Sequence, residues 1–127
     1  MYKDTSLGKI MDAVVITAGA TASADPINID GAIEIAVVAD VTFSASATGE
    51  AIFNFYTAMD ESYSVYSEKS NSDYAFTAAA TDMNDSNKVF ISPSNFNVQA
   101  RKRMILSVKN TDDASITVTV YATKASV

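Results

Sequence analysis

The 127-residue chain has no cysteine, no histidine and no tryptophan. Without cysteine there can be no disulfide, thiolate nucleophile or thiolate metal site, and the chain is indifferent to the redox state of its surroundings. Without histidine it lacks the usual general base, the commonest transition-metal ligand and the side chain that ordinarily titrates near neutral pH. Without tryptophan, any flat aromatic platform for a sugar must come from Tyr or Phe. Basic residues are also scarce: 9 Lys and Arg stand against 15 Asp and Glu, a net charge of −6. A nucleic-acid binder needs a basic face and an anionic membrane attracts one, so the charge argues against both partners. An acidic balance of this kind serves solubility. No stretch approaches the roughly 20 apolar residues of a membrane span. Lys3 and Lys9 ahead of an apolar patch, with Ala22-Ser23-Ala24 as a cleavage-like triplet, have the outline of a signal peptide. Asp12 interrupts that patch and the solid apolar run covers only residues 13–16, so the segment reads as a first strand and no signal peptide is expected.

What is present is alternation. Ile33, Ile35, Val37, Ala39, Val41 and Phe43 fall on one side of an extended chain, and Glu34, Ala36, Val38, Asp40, Thr42 and Ser44 on the other. A period of two marks a β-strand with one face on a core. Unbroken over residues 33–45, the strand would reach about 43 Å, so a bulge or bend near Asp40 is expected. Alternation recurs at 51–59, 96–101, 103–109 and 116–123, with shorter extended pieces at 13–18, 27–29, 74–80 and 88–92. Phe43, Phe53, Phe55, Leu106 and Val118 are the expected core side chains. Asp30-Gly31, Thr48-Gly49, the Asn- and Asp-rich stretch 81–88 and Asn110-Thr111-Asp112-Asp113 supply turns. Pro26 and Pro93 exclude central ladder positions where they stand. Few Leu, Lys and Glu, and much Ala, Ser, Thr and Val, disfavour helices.

The pattern predicts an all-β chain: a single antiparallel β-sandwich, jelly-roll-like, of about eight strands. Residues 1–12, with no clear period, are expected to form an irregular N-terminal arm, and residues 13–127 the sandwich domain.

Four stretches resemble a group of small β-sandwich structural proteins of tailed-bacteriophage virions, of the capsid decoration or auxiliary type. They are Asn28-Ile29-Asp30-Gly31-Ala32-Ile33-Glu34-Ile35, the strand and turn over residues 41–49, Val108-Lys109-Asn110-Thr111-Asp112, and Ile116-Thr117-Val118-Thr119-Val120. One departure is Ala58-Met59-Asp60-Glu61, where the group often carries a Ser-Pro-Asp-Gly-like turn. The resemblance implies assembly rather than chemistry. It points to a capsid decoration or cement protein in the virion, made in the host cytoplasm. Its expected partners are the major capsid protein or other virion proteins and copies of itself, with no cofactor and no enzymatic activity. The alternative is a carbohydrate- or host-surface-binding module of a tail or fibre.

Candidate sites are weighed on the same residues. Asp82, Asn84 and Asp85 suggest calcium, but the EF-hand register would need Gly at 87 and Glu at 93, where Asn87 and Pro93 stand. A turn in which Asx side chains hold their own backbone accounts for them, and no metal is expected. Asp60-Glu61 reads as part of an acidic exposed loop rather than a glycosidase pair. Arg101, Lys102 and Arg103 form the chain's one basic cluster. They serve either to keep a sheet edge from pairing or to meet an acidic neighbour in an assembly. If extended, Arg101 and Arg103 share a face. Tyr63, Tyr66 and Tyr74 offer an aromatic surface or close the core. Thr117 and Thr119, with Thr123, give a bland outer strand face suited to flat packing in an oligomer or shell. The expected partner interface is therefore Arg101, Lys102, Arg103, Tyr63, Tyr66, Thr117 and Thr119.

Overall fold

The two prolines explain the inventory of strands. In a computed structural model, which describes residues 3–59 and 72–127, the strands are β1 (Lys3–Ile16), β2 (Thr21–Ser23), β3 (Ile27–Asn28), β4 (Ala32–Thr42), β5 (Glu50–Ala58), β6 (Tyr74–Ala79), β7 (Lys88–Ile91), β8 (Phe96–Asn97), β9 (Arg103–Asn110) and β10 (Ile116–Ser126). Pro26 lies between β2 and β3, which both pair with β9. Pro93 lies between β7 and β8, which both pair with β4. Each proline interrupts a single strand line, because it cannot donate to the ladder.

Counting each interrupted pair once leaves eight strand lines in two sheets. One runs β1-β10-β4-β7, with β8 continuing β7; the other runs β2-β9-β5-β6, with β3 continuing β2. Every pairing is antiparallel. Apart from β5 and β6, consecutive strand lines lie in opposite sheets, which is the jelly-roll topology. Among the described residues the one helical piece is a 3-10 turn at Ala80–Asp82.

The core fills the space between the sheets. Val37, Ala39 and Val41 of β4 and Val118, Val120 and Ala122 of β10 face it from the first sheet; Phe53, Phe55, Leu106 and Val108 face it from the second. Phe53 stacks on Phe76 across β5 and β6 with ring centroids 4.5 Å apart, and Phe55 meets Phe96 of the opposite sheet at 5.0 Å. Burying a side chain of this size contributes roughly 1.5–3 kcal/mol, so these rings dominate the adhesion of the sheets. All five expected core residues are buried.

Three local readings change. The segment expected as an irregular arm is a laddered strand from Lys3 onward, paired with β10 from Lys3↔Ser126 to Ile16↔Ile116. Its period is hidden by three register shifts, with left-handed backbone at Gly8 (φ 71°) and Ala13 (φ 49°). As a result Ile10 and Met11, neighbours in sequence, both pack toward the core. The bulge expected near Asp40 does not form, since the register of β4 with β10 is continuous from Glu34 to Thr42. The strand length is limited instead by a stop after Thr42, where Phe43 N–H bonds Asn87 O (2.9 Å) and Ala47 N–H closes a turn onto Ser44 O (3.1 Å). Finally, residues 21–23, outside the extended stretches expected from alternation, form β2. Their small side chains carry little pattern, and the strand exists because β9 offers an open ladder.

Candidate interaction face

The outer side of the β1-β10-β4-β7 sheet can be read row by row from its register. Val15, Thr117, Thr42 and Lys88 form one row, and Thr119, Asp40 and Phe90 the next. Lys9, Tyr121 and Val38 follow, then Ser6, Thr123 and Ala36, and then Asp4, Ala125, Glu34 and Asn97. Among the described residues six large hydrophobic side chains are exposed, and four of them stand on this face: Val15 (63%), Val38 (43%), Phe90 (60%) and Tyr121 (46%). Single exposed apolar residues are ordinary; four on one sheet face are not.

Charges bracket this apolar stripe. Lys9 Nζ lies 5.7 Å from the Tyr121 ring centre, and Lys88 Nζ lies 6.0 Å from that of Phe90. Lys88 also approaches Asp40 Oδ2 at 3.5 Å, while Asp40 Oδ1 is buried and accepts no hydrogen bond from the described residues. At the end of the sheet near the termini, Asp4, Glu34, Ala36, Asn95, Thr123 and Ala125 line a dent of about 270 Å³. Asn95 Nδ2 donates to Glu34 Oε1 at 3.5 Å. The face thus mixes exposed apolar side chains with Lys9 and Lys88 on its edge strands and Asp40 at its middle, a composition that suits adhesion.

The expected interface residues do not converge. Thr117 and Thr119 lie half-buried on this face, and Thr119 Oγ1 accepts the Ala13 N–H (3.0 Å) at the bulge of β1. Arg101, Lys102 and Arg103 belong to the lead into β9, a strand of the other sheet. Arg101 and Lys102 precede the strand, after Ala100 in left-handed backbone (φ 68°), so Arg101 and Arg103 do not share a strand face. β9 is an interior strand, so these charges do not guard a sheet edge either. The Lys102 backbone ties segments together: its N–H bonds Ala58 O (2.8 Å), and its carbonyl accepts Ile29 N–H (2.9 Å) and Arg103 Nη1 (3.0 Å). Tyr63 and Tyr66 lie outside the described residues. Tyr74 closes the core, stacked on Phe96 at 4.7 Å. Its hydroxyl pKa is raised, first by burial and then by Asp73, against a smaller opposing effect of Arg101. Asn84 Oδ1 accepts the N–H groups of Ser86 (2.9 Å) and Lys88 (3.1 Å), the self-holding turn expected of that stretch.

Sequence alone does not group Val15, Val38, Phe90 and Tyr121 as a set. A signal existed for Val38 and Tyr121, which stand out of phase with the core residues of their own strands. Their placement on one face with Val15 and Phe90 depends on the pairing of four strands distant in sequence.

No protein-family model matches the chain, and no curated protein matches it in sequence. Among solved structures it is similar to the infectious bursal disease virus VP2 subviral particle, with TM-score 0.55 and 10% identity over 98% of this chain and 32% of that one. A structure of the infectious bursal disease virus Gx strain gives TM-score 0.54 and 12% identity, again over 98% and 32%. The native virion of Kashmir bee virus at neutral pH gives TM-score 0.53 and 8% identity over 98% of this chain and 70% of that chain. The chain thus spans about a third of the length of the two bursal disease virus chains. At these identities the likeness is one of fold, and it extends over nearly the whole sandwich.

Proposed function

We propose that this chain is a structural protein of a virion, of the decoration or cement type on a tailed-phage particle, and has no enzymatic activity. The observation that carries the reading is the gathering of Val15, Val38, Phe90 and Tyr121 on the outer side of one sheet. The face lies flat on the major capsid protein or another shell protein and adds buried apolar area at each contact. Many copies on one particle make individually weak contacts collectively stabilising. Three further things support the reading: jelly-roll likeness to virus particle proteins, the lack of histidine and cysteine, and the resemblance of the strand-and-turn stretches to phage virion proteins. On this reading the protein is made in the host cytoplasm and resides in the virion. The sugar-binding alternative rests on Tyr63 and Tyr66, which lie outside the described residues.

The test is co-sedimentation with purified particles that lack the protein, followed by their rupture temperature. The wild-type chain should pellet with the particles and raise that temperature. Val38→Glu with Phe90→Glu should stay in the supernatant while keeping its own Tm. Unchanged binding by the double variant, or no binding by the wild type, overturns the proposal.

A further inference from the structure

We propose that the free edge of β6 is a self-pairing site, at which a second copy of this chain adds its own β6 antiparallel across a two-fold axis. The inference starts from how differently the sheet edges are protected. An open edge invites another strand, and proteins blunt it with charges, prolines, bulges or brevity. The β1 edge carries three register shifts and the charges of Lys3, Asp4, Lys9 and Asp12. The β2 and β3 edge is three and two residues long, with Asp25 and Pro26 between. The β7 and β8 edge is interrupted by Pro93. Among the described residues none of these devices falls within β6, and the flanking Asp73 is turned to β5, where its carboxylate accepts the Thr57 N–H (2.6 Å). The strand runs Tyr74-Ala75-Phe76-Thr77-Ala78-Ala79, without charge, proline or glycine, in continuous register with β5 from Phe55↔Tyr74 to Glu50↔Ala79.

The backbone phase shows which groups are offered. Ala80 N–H bonds Gly49 O at 2.9 Å, the next step of the same register. Bonded pairs alternate in an antiparallel ladder. Residues 74, 76 and 78 therefore bond to β5, and the N–H and C=O groups of Ala75, Thr77 and Ala79 point away from it. Ala75 and Thr77 are also exposed at their side chains.

The occupant follows from self-complementarity. Across a two-fold axis the same patch meets itself, so any charge would face its own kind. β6 carries none. With Thr77 on the axis, Ala75 lies opposite Ala79 of the second copy and Phe76 opposite its Ala78. Outer side chains then meet outer ones, large meets small, and the outward N–H and C=O groups bond each other.

The experiment needs only the free protein, so its outcome is separate from particle binding. Sedimentation should show a reversible dimer of the wild-type chain. Thr77→Lys puts two charges at the axis, and Thr77→Pro removes the outward N–H while leaving the β5 ladder intact. Both should be monomeric at the same concentration, with an unchanged β spectrum. Because the chain has no cysteine, Thr77→Cys provides one reactive thiol. Bonded partners have Cα atoms about 5.5 Å apart, within the range of about 4.4–6.8 Å that a disulfide spans. Mild oxidation should cross-link Thr77→Cys but not Thr21→Cys on the guarded edge. A monomeric wild type at millimolar concentration overturns the proposal. So does a dimer that survives Thr77→Lys, or one that Thr77→Cys fails to cross-link.

Discussion

Gly49 and Asp112, 63 residues apart, occupy each other's space: Asp112 Oδ1 accepts the Gly49 N–H at 2.8 Å, and a Cβ on Gly49 would lie 2.5 Å from Asp112 Cα. The same oxygen accepts Thr48 N–H (3.1 Å), and Oδ2 accepts Ala114 N–H (3.2 Å). Beside it the buried Asn110 amide donates to Ile16 O (3.0 Å), Thr17 O (3.2 Å) and Ala114 O (2.8 Å). One end of the sandwich is thus held by two side chains that join the turns after β1, β4 and β9.

Gly49→Ala should therefore destabilise the fold although glycine's φ is not at issue there. The added methyl meets backbone, which cannot swing aside, and overpacking of this kind costs typically about 1–3 kcal/mol. Urea denaturation measures it. A loss under about 0.5 kcal/mol would show that the two turns part easily.

Stability should fall in acid through Asp112. Its pKa is lowered, chiefly by the Gly49 N–H and further by those of Thr48, Ala114 and Asp113, with burial opposing. A carboxyl depressed in the folded state contributes stability above its ordinary pKa of about 3.9, and loses it as pH falls through the folded value. Asp112→Asn should lower Tm at pH 7 and flatten the decline of Tm below about pH 4. Parallel Tm–pH curves for both proteins would remove Asp112 from the account.

Phe53→Ala should cost about 3–5 kcal/mol, since Phe53 is fully buried and stacked on Phe76. The denaturation midpoint should shift with little change in slope. A loss under about 1 kcal/mol would contradict its place in the core.

Deleting residues 1–12 should lower Tm by more than about 5 °C, because it strips most of the ladder from one side of β10 and removes Met11 from the core. An unchanged Tm would mean that the paired segment adds nothing to the fold. Differential scanning calorimetry separates the two outcomes.

Much of this was legible in the chain. The alternation of Ile35, Val37, Ala39 and Val41 against Val38 and Asp40 is a local property, because successive side chains of any extended strand point to opposite sides. It therefore determined the strands, their inward faces and the all-β class, and Pro26 and Pro93 determined where two strand lines break. The absence of histidine and cysteine likewise ruled out imidazole and thiolate chemistry before any folding. Tertiary structure decided the rest. Bulges in β1 cancelled the period of two, so Ile10 and Met11 carried no readable face. Val15, Val38, Phe90 and Tyr121 come from four strands, and only the sheet order puts them on one face. The unguarded edge of β6 exists because β5 lies on one side of it and, among the described residues, no strand pairs with the other. Side-chain direction is set within two residues, whereas strand pairing is chosen between segments far apart in the chain, as Lys3 with Ser126, by whichever arrangement closes the core.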